Sequence, residues 1–332
     1  MPAIGEMLQK LNPWHQDAAP PPPPPPPITV GTAATLLALY ALVYFIPFYL
    51  SRTTRPSAAL SRDAPSVIRA RIRSVTLSCL LCTATTYVVL VRTGGEAPAA
   101  ALHLLGVWPP AAGDSFRVLL LTALLFAGPL FSYLIVERGW YEWMRLAPVK
   151  EVWSEWTTWR NIVAGPITEE ILFRSASVPL MLLAQAPIKE IIFLSPIIFG
   201  LAHVHHFYEF RLSHPQVSVS AAVLRSVFQL GYTTLFGAYA TFLFVRTGSL
   251  LAVCAVHAFC NCMGLPQVWG RVEPESLGGN GSGGGRRPSI LWSVAYYVLL
   301  VAGAVLWWRN LWVLSESENA LMPTSEFSGG AA

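Results

Sequence analysis

Apolar stretches long enough to cross a lipid bilayer recur along this 332-residue chain, and they constrain its fold more than any other feature. A transmembrane helix needs about 20 mostly apolar residues to span a hydrocarbon core of about 30 Å. Stretches that meet or approach this length lie at 29–50, 74–91, 117–136, 164–185, 190–205, 217–245, 248–264 and 289–312. The sequence therefore predicts an all-α, polytopic transmembrane helical bundle with about eight spanning helices.

The composition agrees with a membrane protein and argues against nucleic-acid binding. Hydrophobic residues make up 54% of the chain and charged residues only 12%, whereas about 25% of the residues in soluble domains are charged. The basic residues occur in clusters between apolar stretches, and they do not form the continuous basic face that a nucleic-acid partner requires. Membrane lipids are therefore expected partners, and nucleic acids are not.

Segments of different composition flank and interrupt the apolar region. Residues 1–28 form an N-terminal tail that ends in a polyproline tract, Pro20 to Pro27. The transmembrane helical domain is predicted at 29–313. Within it, the glycine-rich stretch 276–289 predicts a flexible cytosolic loop. The last segment, 314–332, is predicted to be a disordered tail.

Basic residues in short loops predict the orientation of the bundle. Cytosolic loops of membrane proteins carry an excess of Lys and Arg. The strongest such excess lies at 51–73, in Arg52, Arg55, Arg62, Arg69, Arg71 and Arg73. With eight spans, alternation then places 137–160, 205–216 and 265–288 on the cytosolic side as well. His205 and His206 are expected in the second of these loops.

The stretch GPITEEILFRS, at 165–175, places three charged residues inside an apolar segment. Ionisable residues inside a membrane are costly, and they indicate function unless they are paired. Glu170 and Arg174 are four residues apart, so they share one helical face and can pair. Glu169 is rotated by about 100° from Glu170 and lacks this local partner. One glutamate is therefore predicted to be structural, and the other to be available for chemistry.

Two further motifs contain histidines at helical spacing. Phe199 and His203 are four residues apart in FGLAHVHHF, as are His257 and Asn261 in HAFCN. All the motifs lie in or near the predicted cytosolic halves of their spans, which predicts one polar cavity. There Glu169 near His203 can deprotonate a water for attack on a carbonyl. His257 and Asn261 can donate hydrogen bonds to the developing oxyanion.

Three alternatives remain open beside this interpretation, which needs no metal and no cofactor. Glu169, His203 and His257 carry side chains that can ligate zinc, although no HExxH motif occurs. An ion-coupled transporter would also use intramembrane Glu and His residues, but the internal repeats typical of transporters are not evident. A non-catalytic membrane scaffold would not need these residues together with Asn261.

The three motifs, in this order on a polytopic chain, resemble those of the CAAX prenyl proteases of the second type. They are Glu-Glu-x-x-x-Arg at 169–174, Phe-x-x-x-His at 199–203 and His-x-x-x-Asn at 257–261. That family comprises glutamate-dependent intramembrane endopeptidases and includes the eukaryotic Ras-converting enzyme. The resemblance covers about 117–265, the expected catalytic core. It implies removal of the C-terminal tripeptide from prenylated CaaX proteins, such as Ras-, Rho- and pheromone-like precursors.

The resemblance also implies a role for each residue of the motifs. Glu169 and His203 would activate water, while His257 and Asn261 would stabilise the oxyanion. The residues expected to support the site are Glu170, Arg174 and Phe199. The resemblance further implies a multi-pass protein of the endoplasmic reticulum membrane with its active site facing the cytosol.

Overall fold

The structure is a computed structural model that describes residues 25–55, 57, 60–273 and 289–328. In these residues it contains helices and no β-strand, so the predicted all-α class is confirmed. The α-helices are α1 Val30–Phe45, α2 Pro47–Leu50, α3 Pro65–Arg92, α4 Pro98–Leu104, α5 Ala112–Leu125, α6 Ala127–Phe131, α7 Gly139–Met144, α8 Ala147–Ser154, α9 Trp156–Trp159, α10 Gly165–Glu170, α11 Val178–Leu183, α12 Ser195–Ala202, α13 His205–Ser213, α14 Val219–Thr247, α15 Leu250–Met263, α16 Ile290–Leu314 and α17 Ser325–Ser328. Wider π-helical turns lie at Ser132–Val136, Arg160–Ala164, Ile171–Ala176 and Glu190–Leu194.

Several of these helices suit a bilayer by length and composition. Within the described part of the chain, four helical segments meet both requirements: Val30–Leu50, Pro65–Arg92, Glu190–Ser213 and Ile290–Leu314. The pair Ala112–Leu125 and Ala127–Val136, bent by 82°, makes a fifth if it forms one span. The chain is therefore a polytopic helical membrane protein, and the count of eight spans stays a prediction.

Three of the π-helical turns have a common cause in the sequence. Pro166, Pro179 and Pro196 each follow such a turn closely. Proline has no N–H to donate to the carbonyl four residues earlier. In each case that carbonyl lies inside the wide turn. The segment 156–176 is thus one run of helix whose turns alternate between α and π geometry, as is common near functional sites.

The helices that carry the three motifs pack on one another. The long helix α14 packs against α12 and α15, and α15 packs against α10. Gly237 allows the close approach of α14, because a Cβ at this position would lie 2.8 Å from the Cβ of Pro196. Small residues permit such approaches between membrane helices. The three motifs are thereby brought to one place in the bundle.

The segment 205–216, predicted as a cytosolic loop, begins with a helix. His205 and His206 form the first turn of α13, which ends at Ser213. The side chain of Glu209 is buried on this helix, and an oxygen of its carboxylate lies 2.7 Å from Arg71 Nη2. This ion pair holds α13 against α3, although α13 shows no clear apolar stripe in the sequence.

The segments outside the bundle are described only in part. Most of the N-terminal tail 1–28 and all of the loop 276–289 except its last residue lie outside the described residues. Residues 315–328 are described and pack on the bundle, where the sequence predicts a disordered tail. Leu321 N donates to Val245 O at 2.8 Å, and Arg246 Nη1 donates to Thr324 Oγ1 at 3.0 Å.

Candidate active site

Glu170 and Arg174 form the pair that their spacing predicts. Arg174 Nη1 donates to Glu170 Oε1 at 3.2 Å, and both side chains are buried. Arg174 Nη2 donates to Gly237 O at 3.2 Å. The guanidinium also lies over the ring of Phe199, 4.6 Å from its centroid. These contacts stabilise two charges that would each be costly to bury alone.

His257 joins this pair from α15. Its Nδ1 lies 2.6 Å from Glu170 Oε1. An ionised carboxylate only accepts hydrogen bonds, so Nδ1 carries the proton and donates it. The ring also packs on Phe236, with 4.6 Å between the centroids. Glu170 therefore fixes the orientation of His257 and leaves its Nε2 directed towards Glu169.

Glu169 has surroundings different from those of its neighbour. Its side chain is 22% exposed and lines a cavity of about 920 Å³, whereas that of Glu170 is 0% exposed. Glu169 Oε2 lies 3.8 Å from His203 Nε2 and 3.9 Å from His257 Nε2. These distances are too long for direct hydrogen bonds, but they suit a bridging water. The glutamate predicted to be available therefore faces both predicted histidines.

The ring of His203 is held as firmly as that of His257. Its Nδ1 lies 2.8 Å from Phe199 O, and a carbonyl only accepts, so Nδ1 donates. The rings of Phe199 and His203 meet edge to face, with 4.7 Å between the centroids. In its neutral form His203 then has a free lone pair on Nε2. A water between Glu169 and His203 can donate one proton to each.

Asn261 lies one turn beyond His257 on α15 and lines the same cavity. Its Nδ2 donates to Asn161 O at 2.8 Å. A primary amide has two N–H groups, so the second remains able to donate. The structure thus brings Glu169, His203 and His257 together with Asn261 in one cavity, as the sequence predicts.

The cavity walls contain residues that the sequence did not single out. Tyr44 from α1 forms a hydrogen bond of 3.1 Å between its hydroxyl and Thr168 Oγ1, next to Glu169. Phe48, Val75 and many other apolar side chains line the walls. Aromatic and aliphatic residues are common throughout the spans, so the sequence gives no signal that distinguishes these. The cavity can accept an aliphatic chain whose polar end reaches Glu169.

Arginines also line this cavity, near the segment that joins α2 to α3. They are Arg62, Arg71 and Arg160. Arg62 Nη1 donates to Glu209 Oε2 at 3.1 Å, and Arg160 Nη1 donates to Asp63 Oδ1 at 2.7 Å. These partners come from separate segments of the chain. Their pairing is not visible in sequence spacing.

Two groups of side chains have the chemistry of metal ligands. Among the described residues, His205, His206 and Glu209 have ligand atoms that all lie within 4.8 Å of one another. Arg62 and Arg71 already balance the charge of Glu209, which disfavours a cation there. Glu169, His203 and His257 also carry side chains of the zinc-ligating type, and both histidines donate their Nδ1–H to an acceptor as metal ligands do, but their ligand atoms do not all lie within that distance of one another. The zinc alternative stays open for that group.

Comparison with known proteins points to one family. The family model described as "Type II CAAX prenyl endopeptidase Rce1-like" matches residues 151–263. The "Probable CAAX prenyl protease 2" of Schizosaccharomyces pombe is 34% identical over 280 residues, which cover 84% of this chain and 92% of the relative. The "CAAX prenyl protease 2" of Arabidopsis thaliana is 33% identical over 276 residues, 76% of this chain and 86% of the relative. The human protein of that name is 35% identical over 224 residues, 64% of this chain and 66% of the relative. No solved structure matches the chain significantly.

Proposed function

The chain belongs to the Rce1-like family of type II CAAX prenyl endopeptidases, and we propose that it removes the C-terminal tripeptide from prenylated CaaX proteins. The observation that carries this proposal is the convergence of Glu169, His203, His257 and Asn261 on one cavity. The substrates are Ras-, Rho- and pheromone-like precursors. The protein acts in the endoplasmic reticulum membrane, and its cavity opens to the cytosol.

Glu169 and His203 activate the attacking water. The water donates one hydrogen bond to Glu169 Oε2 and the other to His203 Nε2, two atoms 3.8 Å apart; Glu169 takes up the first proton, and the second stays on the water oxygen. The water oxygen then attacks the carbonyl carbon of the prenylated cysteine. As the C–N bond breaks, the leaving amine takes up the proton that Glu169 has accepted. Such general acid–base catalysis is worth about 10²- to 10⁴-fold in rate.

His257 and Asn261 stabilise the oxyanion that forms on this carbonyl. His257 already donates Nδ1–H to Glu170, so donation from Nε2 requires the imidazolium form. The negative charge of Glu170 at 2.6 Å balances that form. Asn261 supplies its second amide N–H. Removing one oxyanion donor typically costs about 3–4 kcal/mol of transition-state stabilisation.

Glu170 and Arg174 lie outside the cavity and Phe199 lines it, and all three position these groups. Glu170 orients the ring of His257, and Arg174 holds Glu170 in place. Phe199 supports Arg174 through its ring and His203 through its carbonyl. A rigid supporting layer matters because small displacements of catalytic groups cost large factors in rate.

The walls of the cavity suit a lipid-modified peptide. Leu235 and Leu265 line the cavity and are also exposed at the surface of the protein. An opening beside apolar side chains lets the prenyl chain remain in membrane lipid while the short tail enters. A cavity closed to lipid around Glu169 would contradict this route.

The test is cleavage of a farnesylated CaaX peptide by purified protein in liposomes, followed by mass spectrometry. We expect release of the C-terminal tripeptide, which requires the prenyl group. We expect Glu169→Gln to lower kcat/KM by about 10²- to 10⁴-fold. The control is Arg52→Gln, which removes the charge of an exposed residue away from the cavity and should retain activity.

A zinc chelator in the same assay separates the two hydrolytic mechanisms. Activity that survives chelation supports water activated by Glu169 and His203. Activity lost on chelation and restored by zinc would make Glu169, His203 and His257 metal ligands. Folded protein that cleaves no prenylated peptide would favour a scaffold or an ion-coupled transporter.

A further inference from the structure

A carboxylate is already held between two arginines where the cavity meets the loop before α3. Arg160 Nη1 donates to Asp63 Oδ1 at 2.7 Å, and Arg62 Nε lies 3.9 Å from the same oxygen. The side chains of Arg160, Arg62 and Asp63 are 22%, 41% and 53% exposed. Asp63 belongs to the loop between α2 and α3, and its exposed carboxylate is accessible to exchange with another one. We call these three residues the mouth cluster.

The arginines of the mouth cluster retain hydrogen-bond donors for a further anion. Arg71 pairs with the buried Glu209 and donates both Nε and Nη2 to Thr54 O, while Arg62 Nη1 also donates to Glu209 Oε2 at 3.1 Å. Arg160 uses Nε and Nη1, and no described residue accepts a hydrogen bond from its Nη2. A guanidinium presents its donors in a planar fork that matches a carboxylate.

We infer that Arg62 and Arg160 bind the C-terminal carboxylate of the substrate tail and thereby determine which chain ends the cavity accepts. In the free protein Asp63 occupies the place of that carboxylate. This inference rests on the proposed cleavage of CaaX tails and assigns the end of the tail to a subsite. The enzyme would recognise a free chain terminus three residues beyond the bond it cuts.

The spacing along the helix agrees with this assignment. Arg160 and Glu169 are nine positions apart on the helical run 156–176, which corresponds to about 13 Å along its axis. An extended tripeptide spans about 10 Å. With the scissile carbonyl beside Glu169, the carboxylate of the third residue therefore comes within reach of the Arg160 side chain.

The deep end of the cavity offers no comparable partner for a carboxylate. Arg174 is buried and does not line the cavity, and its guanidinium is engaged by Glu170 and Gly237. An unpaired carboxylate in an apolar environment is costly. The tail is therefore directed from Glu169 back towards the mouth cluster, with its aliphatic side chains against the apolar walls.

The test compares two farnesylated CaaX peptides that differ only at the C-terminus, one a free acid and the other a carboxamide. Hydrogen bonds to charged groups make the acid the better substrate of the wild type by about 10- to 100-fold in kcat/KM. In Arg160→Gln and in Arg62→Gln, kcat/KM for the acid peptide falls towards the value for the amide peptide, mainly because KM for the acid rises. Cleavage of the amide stays within about 3-fold of wild type.

Three further variants distinguish recognition from a structural role. Arg160→Lys keeps the charge and retains part of the preference for the acid. Asp63→Asn removes the competing carboxylate and lowers KM for the acid by about 2- to 5-fold. Arg52→Gln, in the same loop but away from the cavity, leaves both substrates unchanged.

Each contrary result has a distinct meaning. Equal cleavage of acid and amide by the wild type would overturn the inference and leave the endopeptidase activity intact. An equal loss on both substrates in Arg160→Gln would show a structural role and overturn it as well. Failure of the wild type to cut either peptide would instead overturn the proposed function on which the inference rests.

Discussion

A buried layer behind the cavity wall, which we call the floor, and the mouth of the cavity both hold carboxylates against cationic groups, but they are built in opposite ways. At the floor, Glu170, Arg174 and His257 are buried and joined by direct contacts of 2.6–3.2 Å. At the mouth, Arg62, Asp63 and Arg160 are partly exposed, and Arg160 comes from a segment of the chain distant from the other two. The residues of the floor lie on the helical run 156–176 and on α15, which packs against it. The mouth depends on a loop.

This difference separates groups that must stay fixed from groups that can exchange partners. Charges in a low-dielectric interior interact strongly, and removing one of them leaves the other unpaired. Exposed ion pairs contribute about 0–1 kcal/mol, because water and salt compete for each charge. The floor can therefore orient His257 permanently, whereas the mouth can release Asp63 for another carboxylate.

The largest expected effect comes from breaking the pair at the floor. Arg174→Met leaves Glu170 buried without its cation, and we expect it to destabilise the protein by about 3–5 kcal/mol. Arg160→Met at the mouth, which breaks the partly exposed pair with Asp63, should cost no more than about 1 kcal/mol. Unfolding in detergent measures both values. Equal losses for the two variants would mean that the two clusters are not physically different.

A smaller effect is expected from adding one methyl group at the floor. Gly237→Ala places a Cβ 2.8 Å from Pro196 Cβ and 3.3 Å from Arg174 Nη2, so we expect a loss of about 1–3 kcal/mol. Gly231 lies on the same helix, and a Cβ there meets no atom within 4 Å. Gly231→Ala should therefore be neutral or slightly stabilising. If both glycines tolerate alanine, the floor is not packed as tightly as its distances indicate.

The same contrast explains what the sequence could predict. The pair of Glu170 and Arg174 follows from spacing on one helix, and the separate orientation of Glu169 follows from the rotation between neighbours. The pairings of Phe199 with His203 and of His257 with Asn261 also depend on one helical turn. The all-α class follows from apolar length, which is a local property.

Contacts between distant segments could not be predicted in this way. Asp63 and Arg160 meet only because the loop before α3 folds over the helical run that contains Glu169. Helix α13 forms where the sequence predicts a loop, and its buried Glu209 depends on Arg71 from another helix. On that helix His206 and Glu209, three residues apart, face together and pair at 3.1 Å.

The smallest expected effect is a dependence on salt that distinguishes the mouth from the floor. Raising the ionic strength from about 0.1 M to about 1 M shortens the screening length from about 10 Å to about 3 Å. The partly exposed arginines of the mouth should then attract a carboxylate less strongly, so we expect KM for the acid peptide to rise about 2- to 5-fold. The amide peptide has no charge to screen and serves as the matched control, and the unfolding free energy should change little because the floor excludes water and ions. A parallel change in KM for both peptides would assign the salt effect to the membrane or the detergent, and the mouth would then have no electrostatic part in binding the tail.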